Sequence, residues 1–136
     1  MALIAAAPTT TTVETRSAQH ANQIPASLGL RSGEALLAAA PCYIKASDGK
    51  VYMSNGTGAN EAAEIDGFTG KSYAADEAVT LWGRGTIFEY GTGLTPGAVL
   101  FIGATAGRLD AAATTGDAVG VARTISATHI RVTRDA

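Results

Sequence analysis

The sequence predicts a mainly β protein, a small antiparallel β-barrel or sandwich, with an extended N-terminal arm at residues 1–33 and a β-rich core domain at 34–136. Three observations predict it. Apolar runs such as Ala98-Val99-Leu100-Phe101-Ile102 and His129-Ile130-Arg131-Val132 are brief and are cut by Gly, Pro, Asp and Thr, which is how small all-β domains punctuate a sheet. Some eight such runs recur at intervals of about ten residues, and none is long enough for a helix that stands alone. Before Gly33 the chain is of another kind: it holds Thr9-Thr10-Thr11-Thr12, lacks aromatics and shows no sustained helical stripe.

The arm reads as extended because Thr and Val prefer extended backbone. Two readings fit it. Either it orders as an added strand on a partner, laying Leu3, Ile4, Val13 and Ile24 on that surface, or it is a terminus without function. A protease-resistant core is then expected to begin close to Ser32, after cuts near Arg16 or Arg31.

Glu34 to Ala40 has the composition of a helical turn or two, which Pro41 stops. Cys42-Tyr43-Ile44-Lys45 then reads as a strand, Asp48-Gly49 as a hairpin turn and Val51-Tyr52-Met53-Ser54 as the returning strand. A helical turn at Glu61 to Glu64 and a strand from Phe68 to Tyr73 follow. In Val79-Thr80-Leu81-Trp82, Val79 and Leu81 share one face and Thr80 and Trp82 the other; with Thr86 to Tyr90 this predicts a hairpin around Gly83-Arg84-Gly85. Pro96-Gly97 fits the centre of a type II turn, so a strand begins at about Ala98. Ile130 and Val132 alternate with His129, Arg131 and Thr133, the pattern of a strand with one wet face. The aromatics lie between Tyr43 and Phe101, so the centre of the core is expected there.

Composition bounds the function. The chain has 136 residues and is 46% hydrophobic, but 28 of those residues are alanine, which buries little area, and 16 glycines cost backbone entropy. A homo-oligomer is expected for that reason. A net charge of −2 with the ten basic residues scattered argues against nucleic acid as a partner. No apolar run approaches the length of a membrane span, and Met1 to Ala7 lacks the positive region of a secretory signal. The single cysteine fits folding in a reducing cytoplasm.

The chemistry-bearing residue types do not assemble into a motif. Gly70-Lys71-Ser72 has Ile65 where a phosphate-binding loop needs its first glycine, and Gly56-Thr57-Gly58 lacks the frame of a dinucleotide site. Cys42 reads as a small buried hydrophobe; as a nucleophile it would need His20 or His129 as base. One cysteine and two distant histidines offer no metal-ligand spacing. Asp48, Asp66, Asp76 and Asp110 sit singly in predicted turns, and Glu61 and Glu64 read as a solvated surface. Asn55-Gly56-Thr57 matches the glycosylation sequon, in a chain without signs of secretion. No catalytic residue, cofactor or metal is expected.

The run Gly33-Glu34-Ala35-Leu36 through Ala40-Pro41-Cys42-Tyr43-Ile44-Lys45, with Asp48-Gly49-Lys50-Val51-Tyr52, resembles the opening of a group of tailed-bacteriophage structural proteins. So do Ala78-Val79-Thr80-Leu81, Gly91-Thr92-Gly93-Leu94-Thr95-Pro96-Gly97 and Gly120-Val121-Ala122-Arg123. These segments are similar to the capsid cement, or head decoration, proteins over about residues 33 to 134. The resemblance implies a β-rich domain, a homotrimer on the outer surface of the capsid, and the major capsid protein as partner. It implies no enzyme. A tail or fibre component is the first alternative, and a small enzyme with a pocket around Cys42 or His129 the second.

Overall fold

Pro41–Ile44 (β2) and Val51–Met53 (β3) pair antiparallel, with Tyr43 opposite Tyr52, as the Asp48-Gly49 signal predicts. The connection is a four-residue loop closed by Lys45 N to Lys50 O, in which Gly49 takes a positive φ of 71°. The computed structural model describes residues 23–135, and this hairpin is the centre of the first of its two sheets. Gly67–Thr69 (β4) pairs with β2, Leu81–Trp82 (β5) with β4, and Gln23–Ile24 (β1) with the far side of β5. The second sheet comprises Ile87–Glu89 (β6), Val99–Ile102 (β7), Leu109–Asp110 (β8), Ala122–Thr124 (β9) and His129–Val132 (β10), in the order β6-β10-β9-β7-β8. Every pairing of named strands is antiparallel, and helix is confined to 3-10 turns at Ala26–Leu28 and Glu61–Ala63. The protein is therefore mainly β, as its punctuation predicts.

β5 shows how the core is divided. Leu81 turns to a cluster with Leu36, Cys42, Val51 and Val79, while Trp82 turns to a larger cluster that holds Phe68, Phe88, Leu100 and Ile130. Alternation along two residues thus feeds two cores, on opposite faces of one strand. The larger core joins the sheets: the rings of Phe68 on β4 and Phe88 on β6 stack with centroids 6.1 Å apart. Phe68, Phe88 and Tyr90 are almost completely buried, so the centre does fall where the aromatics cluster.

Several expectations are corrected. The hairpin predicted for 79–90 does not form: β5 belongs to the first sheet and β6 to the second. The turn between them redirects the chain, with Gly85 at φ 96°, its N–H bonded to Val132 O and Thr86 Oγ1 donating to Gly83 O. Neither sheet closes into a barrel through its named strands. Glu34 to Ala40 is not helical; Leu36 bridges Tyr73, and Ala39 adopts a positive φ of 51° as its N–H reaches Thr69 O. Long-range backbone partners outweigh an alanine-rich stretch too short to nucleate a helix. The strand predicted from Phe68 to Tyr73 stops at Thr69, with Tyr73 held by the Leu36 bridge alone.

The expected arm divides at Gln23. Its residues 1–22 lie outside the described part, whereas 23–33 are built into the domain. Ser32 is fully buried, pairs with Val51 and donates its Oγ proton to Ala74 O at 2.6 Å, and Gly33 N bonds Val51 O. Arg31 pairs with Ala78. Polar residues with few apolar neighbours in sequence gave no sign of this because each bond spans more than fifteen residues of chain.

Candidate functional site

Of the residues expected to carry attachment, Leu3, Ile4 and Val13 lie outside the described residues. Ile24 is half-buried opposite Leu81 and packs on the smaller core, so its side chain is engaged within the domain.

The residues considered for chemistry are not brought together. Cys42 is completely buried on β2 in the smaller core, and burial, helped by the Glu34 charge, pushes its thiol far above its ordinary range. A thiol held protonated is a poor nucleophile. His129 lies on β10 in the other sheet, with Nδ1 2.7 Å from Thr128 Oγ1, and His20 is outside the described residues. Lys71, from the Gly-Lys-Ser run, stands over the Tyr73 ring at 5.2 Å. Asn55 Oδ1 accepts the Thr57 N–H, an Asx turn within the sequon. Among the described residues no group of three or more His, Cys, Asp or Glu is arranged to hold a metal ion.

The acidic residues organise backbone. Asp48 accepts from Lys50 N and Asp110 from Ala112 N, two residues on in each case, as turn formation requires. Asp66 accepts from Ile44 N, and Glu61 from Ala46 N. The residue that the sequence reading missed is Asp117. Fully buried, it accepts Ile102 N at 2.9 Å on one oxygen and Val119 N, Gly120 N and Arg134 Nη2 on the other. Its signal, an Asp beside Gly116 and Ala118, is no different from that of the other turn aspartates.

Two exposed faces remain, each made by strand register. On the outward face of the second sheet, Ile87, Arg131, Arg123 and Val99 form one continuous row, each directly opposite the next across β6, β10, β9 and β7. Arg123, Arg131 and Val99 are exposed, and Val119 beside them is 73% exposed. Like charges directly opposite one another destabilise a sheet. Arg123 Nε reaches Gly97 O at 3.3 Å, and neither arginine forms an ion pair among the described residues. Arg131 also lines a shallow depression of about 300 Å³ with Arg84. The basic residues are thus scattered in sequence and gathered in space.

The second face lies on the β2–β3 hairpin. Tyr43 and Tyr52 are cross-strand partners with ring centroids 6.1 Å apart, and Lys45 Nζ stands 4.8 Å from the Tyr52 ring centroid. The Tyr52 hydroxyl donates to Asp48 at 2.6 Å, which holds that carboxyl below its ordinary range. Burial raises the Tyr43 phenol, and the charges of Glu61, Glu34 and Asp48 raise it further. Three carboxylates therefore project a negative field onto a pair of aromatic rings.

Comparison with known protein families, with curated proteins and with solved structures finds no match for this chain.

Proposed function

We propose that the chain is a non-enzymatic capsid cement, or head decoration, protein of a tailed bacteriophage. It is made in the cytoplasm of the bacterial host and seated as a homotrimer on the outer surface of the head, where it bridges major capsid subunits against the pressure of packaged DNA. The domain is read as a two-sheet sandwich, with the Phe68–Phe88 stack across its middle. The family resemblance over about residues 33 to 134 motivates this reading.

The observation that carries it is where the chain enters the domain. β1 is the outermost strand of the first sheet, tied to β5 by the pairs Gln23–Trp82 and Ile24–Leu81, and the adjoining Leu28 is 71% exposed. An edge strand offers unpaired backbone groups, and the preceding residues 1–22 carry Leu3, Ile4 and Val13 among β-prone threonines. The attachment segment is accordingly residues 1–22, with Ile24 as its anchor in the domain. Three such arms per trimer raise avidity by roughly 10² or more where the geometry allows simultaneous engagement.

Deletion of residues 1–22 is expected to preserve the circular dichroism of the β domain and to reduce retention on capsid particles sharply. Undiminished retention would assign attachment to the β domain. A reconstruction of particles carrying the protein that places it on a tail or fibre would replace the cement reading with the alternative.

A further inference from the structure

The described chain is electrically divided. From Gln23 to Gly83 seven carboxylates face four basic residues, a net −3, whereas from Arg84 to Asp135 five arginines face four carboxylates, a net +1. Two of those four, Asp110 and Asp117, are buried, so the surface of the second part is more basic than its count. The excess of each sign is concentrated on one of the two faces described above.

Each face has the composition of half an interface. The Arg123–Arg131 pair bears a repulsion that no carboxylate of its own relieves among the described residues, and it is flanked in register by Ile87 and Val99. An incoming carboxylate would relieve that repulsion with paired N–H donors. The hairpin face offers the complement: Asp48, Glu34 and Glu61 around Tyr43 and Tyr52. Aromatic faces within reach of carboxylates accept guanidinium groups both by ion pairing and by cation–π contact, and Lys45 already occupies the Tyr52 ring in this way. Tyrosine and arginine are the residue types enriched where protein surfaces meet.

We infer that the chain associates with itself head to tail, the arginine row of the second sheet in one copy docking on the tyrosine and carboxylate face of the β2–β3 hairpin in the next. The contact joins two different patches, so it is heterologous, and it closes into a ring where the rotation per copy permits and extends into a chain where it does not. This inference shares with the proposed function only the expectation of self-association. It does not depend on the capsid.

The test is sedimentation of the full chain over a range of concentrations, at about 20 mM and about 500 mM salt, since pairing between exposed charges is screened at the higher value. Wild type is expected to associate at low salt and to weaken at high salt. R123E/R131E and D48K/E61K are each expected to weaken association about tenfold or more. An equimolar mixture of the two variants restores complementary faces and is expected to associate again. Association that survives R123E/R131E overturns the pairing and leaves the homotrimer reading standing; so does loss in both variants without recovery in the mixture. A wild type that stays monomeric up to about 1 mM overturns both. Should D48K/E61K fail to fold, the arginine variant and the salt dependence decide, because the Arg123 and Arg131 side chains are exposed and make one weak internal bond between them.

Discussion

Arg134 brings its Nη2 to 2.9 Å from Oδ1 of Asp117, a carboxylate whose side chain is completely buried, while the arginine side chain keeps 29% of its surface exposed. The pair is unequal. Asp117 also receives three backbone N–H groups, from Ile102 on β7 and from Val119 and Gly120 before β9, so it fastens the loop between β8 and β9 to the middle of the second sheet. Asp117→Ala is expected to destabilise the fold by about 3 to 5 kcal/mol, because buried N–H groups and a guanidinium lose their acceptor together. Arg134→Ala is expected to cost no more than about 1 kcal/mol, since its charge is partly solvated and the three N–H bonds survive. Urea denaturation of the two variants checks the order.

Alkaline pH tests the burial of Cys42. Its folded-state pKa stands above the model value of 9.0, so the stability it contributes is complete below about pH 9 and is lost as pH rises toward the folded value. The unfolded thiol ionises there and the folded one does not. Stability is expected to fall above about pH 9 with a slope near 1.4 kcal/mol per pH unit for one proton. Tyr90, raised by burial from 10.0, steepens the fall above about pH 10. Cys42→Ala is expected to remove the first component at a cost of about 1 kcal/mol in packing, and alkylation of native Cys42 is expected to be slow. Denaturation midpoints at a series of pH values, for wild type and variant, measure both effects.

A glycine junction joins the loop after β3 to the second sheet. Gly116 N bonds Gly56 O at 2.9 Å and Gly56 N bonds Gly103 O at 2.8 Å. A Cβ on Gly116 would lie 2.6 Å from Gly58 O and 2.7 Å from Ala63 Cβ, and one on Gly56 would overlap Ile102 O and Thr114 Oγ1. Gly116→Ala is expected to destabilise by about 1 to 3 kcal/mol through overpacking against backbone. Gly58→Ala meets only the flexible Asn60 amide and is expected to stay within about 0.5 kcal/mol of wild type. Thermal unfolding of both variants makes the comparison.

Arg31 decides where the domain begins. Its carbonyl accepts Val51 N, and its Nη1 donates to Asp76 O at 2.7 Å. Trypsin is therefore expected to leave the bond after Arg31 intact in the native protein, although the residue is exposed. Removal of residues 1–31 is expected to lower the unfolding midpoint, because β5 loses its β1 partner, whereas removal of 1–22 is not. Mass spectrometry of the digest and melting of the two truncated forms give the answer; a major fragment beginning at Ser32 would restore the boundary read from sequence.

Local chemistry was legible. Pro96-Gly97 gives its turn, with Gly97 at φ 81° and β7 starting at Val99; Asp48-Gly49 gives the β2–β3 hairpin; and the alternation of Ile130 and Val132 with wet neighbours holds residue for residue. Each rests on preferences that act within a few residues, so the sequence by itself determines them. The same preferences misassigned β5 and β6, because two amphipathic runs around a glycine turn look alike whether they pair with each other or with distant strands. Tertiary structure decided that β6 pairs with β10, that Ser32 is buried beside Val51, and that Asp117 alone among similar aspartates binds three backbone N–H groups and an arginine. It also decided that Arg123 and Arg131 stand opposite one another. Register sets which side chains share a face, and register is fixed by the packing of a core to which the whole chain contributes, so neither exposed face exists until the two sheets have formed.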